Sequence, residues 1–486
     1  YGDHRDLHRV DRRQRQMCIR DRDNAEQGMS IPVVISTSNI QIQNLSTISS
    51  FRISQNGANL LNGTSNSVSG NNINGTLSIP PNQNTGFYDL EVLDMSSFNW
   101  IPLSNAFEVK ITSPWNQMGS SNDGNIGTYS NSSKAGYSVA ISNSGNIYAH
   151  GAPAASSSNI GYVSVYNYSG YSWSQIGNDI SGVRVGDIFG HSISLSGDGN
   201  YIAIGAPNYD VTGSQVQGMV RVLENTAGTW TQVGSDIVGA NVRDYSGQNV
   251  ELNDAGNILA IVGCKGYAGG SLHGDCVKIY ENMTGNSWTE VSTISLSNIE
   301  SISFNSAGNI LAIGCPNDDI VYVYENISGS WSQITSISGS SSDDFGQSVS
   351  LNENGDRLAI GIPKSDISGA NAGATKLFEN TSGTWTQMGT TILGEGASDQ
   401  SGFSVSLDNE GNKVAIGEPL NDDGGTTYSN YPNAGQARVF RYYAGDWQTQ
   451  VGVDLNGTIN TISNGYSYGC LLYTSDAADD LLCVDL

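Results

Sequence analysis

Basic residues are scarce in this chain: 21 Lys and Arg stand against 46 Asp and Glu in 486 residues, a formal net charge of −25. A surface so poor in cations repels a phosphate backbone, which argues against a nucleic-acid partner. No apolar run approaches the length of a membrane-spanning helix. Charged residues make up only 14% of the chain, while Gly (59 residues), Ser, Asn and Thr abound. That mixture suits many short strands and many turns rather than helices. Of the six cysteines, the three away from the chain ends, Cys264, Cys276 and Cys315, make no disulfide framework and have no zinc-ligand spacing.

The two ends do not match the middle. Seven of the 21 basic residues fall between Tyr1 and Arg22, and the stretch from Cys470 to Leu486 is equally foreign to its surroundings. Both resemble translated sequencing-adapter read-through of the kind met in metagenomic assemblies. Residues 1–28 and 470–486 are therefore expected to be non-native and are kept out of the fold reading. Between them, residues 29–112 carry strand-like runs such as Ile31-Pro-Val-Val-Ile-Ser36 and Tyr88-Asp-Leu-Glu-Val-Leu93. Their spacing predicts a small β-sandwich. Ile79-Pro-Pro followed by Gly86-Phe-Tyr-Asp-Leu-Glu-Val92 resembles the late strands of immunoglobulin-like domains of bacterial surface proteins.

From Trp115 onward the chain repeats itself about every fifty residues. The clearest copy reads Asp187-Ile-Phe-Gly-His-Ser-Ile-Ser-Leu195, then Gly-Asp-Gly-Asn200, then Tyr201-Ile-Ala-Ile-Gly-Ala-Pro207, a third strand at Met219 and a fourth at Trp230. Turn glycines recur at Gly145, Gly199, Gly256, Gly308, Gly355 and Gly411, where a tight hairpin needs a positive φ. Seven of the eight tryptophans (Trp115, Trp173, Trp230, Trp288, Trp331, Trp385, Trp447) fall in the fourth-strand slot. One large ring per repeat is what stacked, twisted sheets need between neighbours. Four strands per unit predict an all-β protein with a β-propeller over residues 113–469. The reading is a seven-bladed type: six complete four-stranded blades, with a truncated seventh split between Trp115 and Asn464-Gly-Tyr-Ser-Tyr468. Blade four is degenerate, with Ile299 where other copies have the glycine of Phe-Gly.

Phe189-Gly190 with Gly205-Ala-Pro207, and Phe345-Gly346 with Gly361-Ile-Pro363, resemble the FG-GAP repeat of integrin α-subunit propellers and their bacterial relatives. The resemblance spans about 340 residues through its recurrence. It implies an extracellular or cell-surface protein that binds a protein or glycan ligand, and it implies calcium loops after the Gly-Ala-Pro. Asn421, Asp422 and Asp423, and also Asn317, Asp318 and Asp319, are the candidate metal ligands, since hard cations take oxygen donors. No loop carries the full alternating set, so the same residues also read as turn-capping Asx side chains.

Loops between blades and after Gly-x-Pro share one face and vary in length, which marks that face as the binding side. Candidate ligand-binding residues there are Asp187, Asp210, Asp244, Asp344, Asp399, Tyr428 and Tyr431. No catalytic constellation stands out. Cys264 and Cys276 lie on neighbouring strands and are a candidate bridge; Cys264 and Cys315 are placed in the small-residue slot held by Ala206. Three functional expectations remain: a binding and adhesion scaffold, a glycan hydrolase or lyase on the same frame, or a structural surface-layer component.

Overall fold

The computed structural model describes the backbone of six strands between Ser30 and Val109 and, with breaks such as 265–273 and 422–434, residues 134–456. The expected non-native ends, Trp115 and the segment at Asn464 lie outside the described residues. The chain forms two compact units that meet in sequence at Asn116 and Gln117.

In the first unit all six strands pair in one antiparallel sheet, ordered Ser30–Ser36, Asn72–Ser78, Ala58–Ser69, Ile48–Gln55, Gly86–Asp94, Asn99–Val109. This corrects the expected sandwich, which needs two facing sheets. The strand at Ala58–Ser69 escaped notice because its polar run Asn-Gly-Thr-Ser-Asn-Ser lacks apolar alternation.

Among its described residues the second unit contains six antiparallel sheets, each built from consecutive strands. Blade two shows the plan: Ser192–Leu195 innermost, then Tyr201–Ala206, Met219–Thr226 and Thr229–Gln232. The six innermost strands together wall one central cavity, so the sheets stand around an axis, as in a propeller. Every expected turn glycine has a positive φ, between 66° and 72°.

The second strands explain how blades stack. Their core is a large-Ala-large triplet, such as Ile202-Ala203-Ile204 or Leu358-Ala359-Ile360. Ile202 and Ile204 pack back against Ala149, Val163 and Val165 of blade one. Ala203 faces the other way and receives Leu259 and Ile261 of blade three. Large on small fixes the distance between blades. Each fully buried Ile adds roughly 1.5–3 kcal/mol. The indoles occupy the same seams: Trp230, Trp331 and Trp385 are half-buried against inter-blade clusters, and Trp447 is fully buried. Trp230 and Trp447 donate their Nε1–H to Ile176 O (3.1 Å) and Met388 O (2.9 Å) of the preceding blade. A Gln two or three positions later has a local duty, since Gln175, Gln232 and Gln450 each donate to the Asp four residues on.

Two contacts repeat at four of the five described blade junctions and account for the Phe-Gly and Gly-x-Pro signature. The Ser two places beyond the Phe-Gly glycine position donates its Oγ–H to the glycine carbonyl of the next blade: Ser138 to Gly190, Ser192 to Gly247, Ser301 to Gly346, Ser348 to Gly402, at 2.8–3.0 Å. Directly beneath lies the glycine of Gly-x-Pro. A Cβ on Gly151, Gly205, Gly314 or Gly361 would fall 1.9–2.1 Å from that same carbonyl oxygen, so only glycine fits. Blade three breaks the rule consistently. Val262 holds the Gly205 position, and the facing loop of blade four has lost its own glycine to Ile299. The register also moves Cys264 into the Pro207 slot, one place beyond the expected one, while Cys315 does match Ala206.

Candidate functional site

The central cavity has a volume of about 770 Å3. One inner-strand position, the residue just after the Phe-Gly glycine, sets its mouth on the side of the Gly-x-Pro loops. Through blades one to six it reads Tyr137, His191, Gln248, Glu300, Gln347, Phe403, and all six line the cavity half-buried. The next position is nearly constant (Ser138, Ser192, Asn249, Ser301, Ser348, Ser404) because it makes the inter-blade clasp; Asn249 donates to Glu300 O at 3.3 Å in the same manner. Identity thus varies at the mouth and is held fixed one residue deeper.

Tyr137 and His191 touch across the first junction, with Oη and Nε2 3.3 Å apart and ring centroids 5.1 Å apart. Burial, with Lys134 adding to it, lowers the His191 pKa, so the imidazole is neutral near pH 7. Burial, seconded by the charge of Glu300, raises the Tyr137 hydroxyl. Two positions below the clasp, three blades are similar again: Ser194, Ser303 and Ser350 accept the N–H of Leu252, Leu351 and Leu407, respectively, on the next blade at 2.9–3.0 Å. Blade three places Glu251 there, and its carboxyl accepts the N–H of Phe304. Glu251 keeps some exposure to the cavity, yet the walls enclose it. Burial, and then the charge of Asp254, push its pKa from 4.5 to about 8. Glu251, Asp254, Glu300 and Glu353 all line the cavity, and among the described residues no Lys or Arg does.

The acids singled out by sequence sit elsewhere. Asp187, Asp244 and Asp399 are buried, and each carboxylate accepts the backbone N–H of the residue three places earlier, at 3.0, 2.7 and 2.6 Å. Burial raises the Asp187 pKa. Asp344 lies one position later in its loop and pairs with Lys364 at 2.7 Å. Asp210 is half-buried, bridged to Val216, and its carbonyl accepts from Arg184. None of the five lines the cavity, and the structure distributes them over separate blades and junctions.

Among the metal candidates, Asn317 and Asp318 are exposed on a short 3-10 turn. Asp319 points away from them, accepting the N–H of Ser342 (2.7 Å) and Phe345 (3.1 Å). Asn421 is buried with its Nδ2 toward Asp399, Glu418 and Gln436, the posture of a donor rather than a cation ligand. Glu418 stands in the Ala206 slot and bonds Arg438 Nε at 2.6 Å and Ser401 Oγ at 2.9 Å, all within the protein. Burial raises the Glu418 pKa against the opposing pull of Arg438. Asp422, Asp423, Tyr428 and Tyr431 lie outside the described residues. Among the described residues no three His, Cys, Asp or Glu side chains form a metal-binding group.

The mouth ring itself escaped the sequence reading, which looked to the acidic loops instead. That reading missed Gln248, Glu300 and Glu251. Aligning the repeats position by position and asking where they disagree would have found all three.

The chain is an all-β protein whose described residues form six blades of a β-propeller. No protein-family model matches it, and no curated protein matches it. Solved structures similar to it include a protein from Lactobacillus plantarum (12% identity, 84% of this chain and 99% of that one, TM-score 0.45). Another is the periplasmic gluconolactonase of Pseudomonas aeruginosa (14%, 84% and 96%, 0.47). A third is the hydrazine synthase of Kuenenia stuttgartiensis (11%, 65% and 80%, 0.43). Likeness at this level concerns the fold alone and carries nothing about site or activity.

Proposed function

We propose that this chain is an extracellular or cell-surface binding scaffold whose ligand sits at the mouth of the central cavity. One observation carries the reading: repeats that agree at nearly every inner-strand position differ in all but one identity at the ring Tyr137 to Phe403. A rigid frame with one variable ring is how a propeller presents a specific site. The FG-GAP likeness of the junction contacts fits this role. So does the Cys264–Cys276 disulfide, a bond that persists in oxidising surroundings.

We read the ring as the seven-bladed type. Backbone N–H groups link the inner turns in series, Asn143 to Gly197, Gly197 to Asp254, Asp254 to Ser306, Ser306 to Glu353, and Glu353 to Asn409. A blade assembled from the strand at Trp115 and the segment at Asn464 would continue that series. Calcium remains part of the reading only at the loop that starts with Asn421, and calorimetry with calcium tests it: absence of both heat and a melting shift removes it.

Immobilised glycans and extracellular proteins, probed with the whole chain and with Gln347→Ala, test the scaffold. Retention of one ligand class that the substitution weakens is expected; undiminished binding by the variant would move the site away from the mouth. A second reading, a glycan-active enzyme, is favoured by Glu251 alone, a carboxylic acid that stays protonated at neutral pH and can give up a proton. Turnover of polysaccharides that Glu251→Gln abolishes would select it.

A further inference from the structure

We infer that the cavity mouth takes the terminal unit of an uncharged saccharide and turns anionic sugars away. The inference rests on the scaffold reading and adds the ligand's chemistry to it. Its basis is the way the six mouth side chains divide around the ring. Blades three, four and five contribute Gln248, Glu300 and Gln347, two planar amides and a carboxylate in succession. The remaining three blades contribute Tyr137, His191 and Phe403, all rings.

A pyranose has two kinds of surface, and this division matches both. Its axial C–H face is apolar and settles on an aromatic ring, whose negative π face attracts the weakly positive hydrogens. Its hydroxyls occur in adjacent pairs, each both donor and acceptor. A Gln amide presents a donor and an acceptor side by side, and a carboxylate presents two acceptors. A flat aromatic ligand would leave the amide arc unused, and an aliphatic one would strand its polar groups in the cavity. At about 770 Å3 the cavity lies within the range of small-ligand pockets and admits one or two sugar units.

Charge supplies the selectivity. Among the described residues the lining holds Glu251, Asp254, Glu300 and Glu353 and neither Lys nor Arg, so a uronate or sulfate would meet like charge along this wall. Lys134, exposed beside the mouth with its Nζ 5.7 Å from the Tyr137 ring centroid, is a single charge against the four acids of the lining. Glu251 adds to the match, because a protonated carboxyl in the cavity wall can donate to a sugar oxygen while its other oxygen accepts the N–H of Phe304.

The test is calorimetry of the whole chain with oligosaccharides of neutral hexoses, with the corresponding hexuronates and with the corresponding amino sugars. Neutral oligosaccharides should bind, and hexuronates should bind at least tenfold more weakly. Phe403→Ala should weaken neutral-sugar binding about tenfold without moving the melting temperature, and Glu300→Gln should narrow the gap between neutral and hexuronate sugars. Tighter binding of hexuronates or of amino sugars overturns the inference. So does neutral-sugar binding indifferent to both Phe403→Ala and Glu300→Gln. If no saccharide binds but an extracellular protein does, in a way Gln347→Ala weakens, the saccharide inference falls while the scaffold reading stands. If Gln347→Ala weakens nothing that binds, the scaffold's placement of the site falls with it.

Discussion

The two ends of the central cavity are built from the same six strands, yet they obey opposite rules. At the far end each strand runs into a hairpin whose first residue caps it: Ser142, Ser196, Asn253, Asn305, Asn352 and Asp408 each accept the backbone N–H five positions on, at 2.8–3.1 Å. Three residue types perform one task, and the turns are then linked blade to blade through the backbone. At the near end one position carries five residue types, with no task common to all of them. Substitution among repeats that preserves a contact marks structure, whereas substitution that changes the chemistry offered to the cavity marks recognition. Glu251 shows the second kind intruding on the first. It still accepts a neighbour's N–H, as the serines do, but brings a carboxyl into an enclosed wall at a cost in stability.

The most severe way to break this comparison is to disturb a contact that every blade should need. Gly205→Ala drives a methyl to 2.1 Å from Gly247 O, which is backbone and cannot step aside. A loss of about 3 kcal/mol or more is expected from chemical unfolding. Val262→Ala, at the same position of blade three where the glycine rule is already suspended, should cost only about 1 kcal/mol. Equal losses would mean that the junctions are not equivalent.

Glu251→Ser restores the residue that blades two, four and five use, and its effect depends on pH. The folded-state pKa of about 8 lies above the ordinary 4.5, so the unfolded chain ionises first as pH rises. The favourable contribution is complete below pH 4.5 and drains away as pH climbs to about 8. The variant should therefore match the parent chain near pH 4.5 and exceed it near pH 8.5 by an amount on the order of a few kcal/mol. Thermal melts across that range decide it, and parallel curves would show that the carboxyl is not enclosed. Smaller again is the effect of reduction. The Cys264–Cys276 bond closes a loop of sequence separation 12 in blade three. Dithiothreitol should cost about 2 kcal/mol, and a Cys264→Ser, Cys276→Ser variant should no longer respond to it.

How much of this could be read without coordinates follows from which forces act locally. The propeller was legible because its signals are short-range and repeated: a positive-φ glycine, alternation of period two, one indole per repeat. The large-Ala-large triplets were visible as apolar strands, but their sidedness was not, because only a neighbouring sheet tells Ala203 from Ile204. Asp187, Asp244 and Asp399 drew attention as acids on the loop face. Whether such a carboxylate faces solvent or bends back onto a backbone N–H three residues earlier depends on loop geometry that composition does not carry. The sheet at Ser30–Val109 was mistaken for a sandwich because strand spacing does not say which strands pair.

The finest test sets the two cavity ends against each other on one strand of blade five. Asn352 is buried at the far end, where its Oδ1 accepts Arg357 N–H at 2.9 Å and its Nδ2 donates to Asp356 at 2.8 Å. Asn352→Ala removes both bonds and leaves a backbone donor to find water, which should cost about 1–2 kcal/mol. Gln347, five residues earlier at the mouth, faces the cavity half-buried, and Gln347→Ala should stay within about 0.5 kcal/mol of the parent chain. Denaturant titrations of the two variants resolve that difference. Should Gln347→Ala prove as damaging as Asn352→Ala, the mouth ring would be doing structural duty, and its variety would need an explanation in packing rather than in a ligand.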